Sequence, residues 1–68
     1  MCFGERLREV RLNRGMSVSG LANAADIDRS TIHNLENKTQ YSPNTTTLVL
    51  ICEALEVSAD YLLGLRGE

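Results

Sequence analysis

The chain holds two cysteines, one histidine and one proline in 68 residues, and each scarcity removes a class of protein. Cys2 and Cys52 stand far apart with no Cys-x-x-Cys pair, and His33 has no partner at ligand spacing, so neither a zinc site nor a disulfide framework is expected. Cys52 reads as a buried small hydrophobe and Cys2 as a terminal free thiol. The longest apolar run, Leu48 to Cys52, falls far short of the roughly 20 residues of a membrane-spanning helix. The N-terminus lacks the basic start, apolar stretch and cleavage site of a secretory signal, so a cytoplasmic protein without membrane contact is expected. No nucleophile, base and orienting group can be assembled, and no glycine-rich phosphate loop is present, which argues against an enzyme and against a cofactor.

Positive charge is also scarce. Seven Lys plus Arg oppose nine Asp plus Glu, a net charge of −2 that by itself argues weakly against a nucleic-acid partner. The sum hides a gradient. Residues 1–16 hold four arginines against Glu5 and Glu9 (+2), residues 17–43 hold Arg29 and Lys38 against Asp26, Asp28 and Glu36 (−1), and residues 44–68 hold Arg66 against Glu53, Glu56, Asp60 and Glu68 (−3).

What is present is hydrophobic periodicity. At 43% hydrophobic the chain is not disordered, and its length suits one domain over 1–68 with a core from about 3 to 65. Phe3, Leu7 and Val10 share one face of a first helix ending near Asn13, with Gly15 as its left-handed stop. Ser17 is placed to cap a second helix, Val18 to Ala25, with Leu21, Ala22 and Ala25 inward. Ile27 lies in a short connection, and Asp28 is placed to cap a third helix, Arg29 to about Asn37, with Ile32 and Leu35 inward. Thr39 to Pro43 reads as a polar turn. Leu48, Ile51, Cys52 and Leu55 repeat as i, i+3, i+4, i+7 in a fourth helix that Asn44 or a neighbouring threonine can begin. A last short helix, capped by Ser58, contains Leu62 and Leu63 and stops at Gly64. The fold class is therefore all-α, a five-helix bundle.

Two short helices joined by a tight turn, the second with a polar outer stripe, are the sequence form of a helix-turn-helix. The ordered set is more specific: Leu7-Arg8-x-Val10-Arg11, Gly15-Met16-Ser17, Leu21-Ala22, Ile27, Arg29-Ser30-Thr31-Ile32, Leu35-Glu36-Asn37, Pro43, Leu48, Ala54-Leu55 and Val57-Ser58. These residues resemble the Cro/C1-type (XRE) helix-turn-helix family from about Phe3 to Leu65. The resemblance implies a lambda-repressor-like bundle whose third helix enters the major groove of double-stranded DNA.

On that reading Arg29, Ser30, His33 and Asn34 face the bases. Asparagine presents the donor and acceptor that adenine needs, and arginine the fork that grips guanine. Ser17 at the start of the second helix, Asn37, and Thr39 and Gln40 in the following turn hold positions where family members touch phosphate. Arg11 and Glu36 resemble an ion pair that positions the third helix, so Glu36 is expected to be structural.

The sequence departs from the family at Val18, which stands where a phosphate-binding glutamine is usual, and at Asp26, which stands at the glycine of the turn. Val18 gives up a phosphate contact and Asp26 adds a negative charge near the DNA side, so monomer binding is expected to be weak with a shallow salt dependence. A homodimer, at least on DNA, would compensate, with Val49, Leu50, Tyr61 and Leu65 as candidate contacts. The expected function is a sequence-specific transcriptional regulator, most simply a repressor at an operator. The alternative is a protein-interaction module of the same fold. A small-molecule effector is not expected, because its domain would need more residues.

Overall fold

Local hydrogen bonds mark most of the helix ends. The computed structural model describes residues 2–38 and 42–65, and within them lie α1 (Phe3–Asn13), α2 (Val18–Ala25), α3 (Arg29–Asn37), α4 (Thr45–Leu55) and α5 (Ala59–Leu62), with no strand among the described residues. No helix among these residues is long and apolar enough to cross a membrane. Three starts are capped by side chains. Ser17 Oγ accepts the Gly20 N–H at 2.9 Å, Asn44 Oδ1 that of Thr47 at 2.8 Å, and Ser58 Oγ that of Tyr61 at 3.1 Å. Each satisfies one amide that the helix leaves unpaired. Asp28 corrects the expectation for α3: it holds the cap position with extended backbone, but its carboxylate accepts no cap bond. Its main-chain oxygen accepts the Thr31 N–H at 3.0 Å instead, leaving the side chain only a charge to offer the helix start.

Four helices share one way of stopping. A left-handed residue follows α1, α2, α4 and α5, at Gly15, Asp26, Glu56 and Gly64, with φ of 71°, 59°, 60° and 79°. The next amide then reaches back five positions: Met16 to Arg11 O, Ile27 to Ala22 O, Val57 to Cys52 O and Leu65 to Asp60 O, at 2.9 to 3.1 Å. This is the Schellman arrangement, in which the residue after the left-handed one turns an apolar side chain back on the helix. Met16, Ile27 and Val57 pack against the core, whereas Leu65 is 75% exposed. Asp26 therefore adopts the backbone that family members build with glycine, and Glu56 does so without any sequence signal.

The core is one cluster drawn from all five helices, led by Leu7, Leu21, Ile32, Leu35, Ile51, Leu55 and Leu62. Helix α3 packs on α1 and α2, α4 on α2, and α5 closes against α1 and α4. Cys52 is half-buried rather than buried, and that burial still raises its thiol pKa. Two arginines of the α1 segment bind the far end of the bundle. Arg14 Nε donates to Leu55 O at 2.7 Å and its Nη2 to Glu56 O at 3.3 Å, filling carbonyls at the end of α4. The Arg6 guanidinium lies 5.5 Å from the centre of the Tyr61 ring. On another side α1 meets α3 so closely that a Cβ on Gly4 would stand 2.5 Å from Leu35 O and 2.8 Å from Glu36 O.

Candidate nucleic-acid interface

The three residues Asp26, Ile27 and Asp28 join α2 to α3, and the packing of α3 decides which of its side chains remain free. Ile32 and Leu35 are fully inside. One turn around the helix, Arg29, Ser30 and His33 are exposed and Asn34 is half-buried. The four stand at i, i+1, i+4 and i+5, which places them on a single outward face. Among the described residues, the side chains of Arg29, Ser30 and Asn34 make no hydrogen bond or ion pair, so their donors and acceptors are available to a ligand.

Where α3 packs on α1 it is held by a buried ion pair. Arg11 Nε donates to Glu36 Oε2 at 2.6 Å and Nη2 to Oε1 at 3.0 Å, a bidentate fork, while Nη1 donates to Met16 O at 2.8 Å. The Arg11 and Glu36 side chains are 8% and 2% exposed. The bond to Glu36 raises the Arg11 pKa above its already high ordinary value, against the opposing effect of burial, so the guanidinium stays charged throughout the neutral range. One residue thereby ties α1, the following turn and the last turn of α3, fixing how far the outward face protrudes.

Around this face the remaining polar residues take different stances. The Asn37 amide nitrogen donates to His33 O at 2.8 Å and lies 3.3 Å from His33 Nδ1. When it donates to Nδ1, the ring proton resides on Nε2, which then carries the outward donor. The Asn37 carbonyl oxygen remains an unengaged acceptor, and its second N–H is free when the ring does not take it. Ser17 uses its oxygen to accept from Gly20 and keeps its hydroxyl proton free, beside the unpaired amides of Val18 and Ser19 at the start of α2. Thr39 and Gln40 lie outside the described residues. Val18, Asp28, Arg29, Ser30 and His33 line an open concavity of about 550 Å³. Sequence reasoning treated Val18 only as a lost phosphate contact, and its place between the starts of α2 and α3 emerges only from the fold.

The four apolar residues expected to join two copies are not equivalent. Val49 and Leu65 are exposed at 48% and 75%, and Leu50 is half-buried. Tyr61 packs against the core beneath Arg6. Leu12 and Leu63 are also exposed and carried no periodic signal of that kind.

A family model described as a helix-turn-helix domain matches residues 4–68. Among curated proteins, the HTH-type transcriptional regulator ImmR of Bacillus subtilis is 34% identical over 64 residues, covering 94% of this chain and 50% of that protein. The HTH-type transcriptional regulator SinR of Bacillus licheniformis is 31% identical over 66 residues, covering 97% of this chain and 60% of its own length. The chain spans 47 to 60% of the curated relatives it matches. Among solved structures, the restriction-modification controller protein C.AhdI from Aeromonas hydrophila aligns with a TM-score of 0.81 at 32% identity, over 88% of this chain and 89% of that one.

Proposed function

The chain belongs to the helix-turn-helix domain family, of the Cro/C1 (XRE) type, and from that premise we propose that it is a DNA-binding transcriptional regulator acting by occupying an operator. One observation carries the reading: Arg29, Ser30, His33 and Asn34 form one outward face, on which the side chains of Arg29, Ser30 and Asn34 make no hydrogen bond or ion pair within the described residues. With α3 in the major groove, Asn34 offers its amide to adenine, Arg29 its fork to guanine, and Ser30 and His33 shorter-range donors to base edge or phosphate. Ser17 and the first amides of α2 meet the backbone, where a helix start favours an anion. Arg11 and Glu36 touch no DNA on this reading and act by holding α3 in place.

The cation count makes two-fold binding the economical arrangement. Arg29 is the sole full positive charge on the outward face of α3, so one copy neutralises few phosphates. Two copies reading half-sites about one helical turn apart, joined through Val49, Leu50 or Leu65, combine two modest contacts into one firm one. Repression follows when that site overlaps a promoter.

Electrophoretic shift of random duplex DNA at low salt, followed by selection of bound sequences from a random library, tests the proposal. Enrichment of a pseudo-palindromic sequence is the expected result. Absence of any shift would instead favour the interaction-module reading, which the acidic pair Asp26 and Asp28 beside the face supports.

A further inference from the structure

Part of the DNA-facing surface is apolar. Val18 opens α2 half-buried, with one side packed against the core and the other lining the concavity it shares with Asp28, Arg29, Ser30 and His33. Two features decide what that concavity accepts. An isopropyl group gives a phosphate no hydrogen bond, so docking one there strips its water without replacement. The Asp28 carboxylate on the same rim offsets the Arg29 charge, so the side chains of the rim have no net attraction for an anion. A phosphate beside the start of α2 is held by the Ser17 hydroxyl and the first amides, not by the Val18 side chain, and the apolar wall itself is left to a base edge. On the major-groove edge of a base the apolar feature is the C5 methyl of a pyrimidine.

We infer that Val18 and this concavity form a reader of a pyrimidine C5 methyl group, carried by thymine or by 5-methylcytosine, with Arg29, Ser30 and His33 as the polar rim that fixes the base edge. The inference rests on the proposed DNA-binding function. It turns a residue that weakens one backbone contact into one that discriminates sequence.

The full chain first enriches its site from a random library. Deoxyuridine then replaces thymine, and 5-methylcytosine replaces cytosine, one position at a time, and affinities are measured by fluorescence anisotropy. Removing one docked methyl from thymine should weaken wild-type binding about fourfold, and adding one to cytosine should strengthen it by a similar factor. A loss in the first arm assigns thymine, and a gain in the second assigns 5-methylcytosine. Val18→Ala should shrink that ratio below about twofold, and the isosteric Val18→Thr, which keeps the packing volume, should shrink it as well. Equal binding with and without the methyl at every position overturns the reader and leaves DNA binding intact, as does an undiminished ratio in Val18→Thr. Failure to shift any duplex at low salt overturns the functional reading on which the inference stands.

Discussion

The two faces of α3 obey different rules although they share nine residues of one helix. Inward, Ile32 and Leu35 are fully covered and the Glu36 side chain is 2% exposed, each with a partner on α1 or in the core. Outward, Arg29, Ser30 and Asn34 keep their polar groups unspent. Folding therefore accounts for the first set and makes no use of the side chains of the second. Substitutions on the two faces should move different observables, since surface changes away from caps, cores and buried networks alter stability by only about 0.5 kcal/mol.

The sharpest break is Glu36→Gln. It leaves the Arg11 charge, in a side chain 8% exposed, without its counterion, and breaking a buried pair from one side costs about 3–5 kcal/mol. In a domain of this size each kcal/mol moves Tm by about 4–8 °C, so calorimetry should register a fall on the order of 12 °C or more. An unchanged Tm would remove the structural role assigned to Glu36. Gly4→Ala tests the same face from α1. The new Cβ would meet the carbonyls of Leu35 and Glu36 at 2.5 and 2.8 Å, and such overpacking costs about 1–3 kcal/mol. Urea unfolding should show a lower midpoint with an unchanged slope.

Asn34→Ala probes the outward face and should invert the pattern. Tm should stay within about 2–4 °C of wild type, while affinity for the selected duplex falls by about 1–3 kcal/mol and preference for adenine relaxes at one position of each half-site. A variant that melts early but binds as before would reverse the assignment of the two faces.

This division also explains how far the sequence could be read. Helix positions were legible because they depend on local facts: apolar spacing, Ser17, Asn44 and Ser58 as caps, and Gly15 as a stop. The outward stripe was legible as polarity, and the fork between Arg11 and Glu36 followed from resemblance to a family. Illegible were the features that need two distant segments at once. Gly4 reads locally as a helix-weakening glycine, and only the approach of α3 gives it a reason. Arg14 looks like one more surface cation until the end of α4 arrives beside it. Asn37 is a local case, since its amide nitrogen donates to the His33 carbonyl one turn back in the same helix. Val18 could be judged only by what it lacked, because the concavity at its side is made by α3.

The smallest predicted effects separate strain from electrostatics in the two left-handed stops that lack glycine. Asp26 and Glu56 have nearly the same φ, 59° and 60°, but Asp26 lies in the turn leading to α3 and Glu56 at the end of α4. A left-handed conformation costs an L-residue about 1–2 kcal/mol, offset on replacement by about 0.5–1 kcal/mol for the greater unfolded-state freedom of glycine. Each change to glycine should therefore stabilise by at most about 1.5 kcal/mol, with Glu56→Gly gaining more because aspartate tolerates this backbone better than glutamate. On DNA the two must diverge. Asp26→Gly removes a negative charge beside the proposed interface and should strengthen binding modestly, more at low salt than at high, whereas Glu56→Gly should leave affinity unchanged. Parallel melting curves and salt titrations of the two variants measure both effects, and equal affinities at low salt would show that the turn into α3 lies too far from phosphate for its charge to matter.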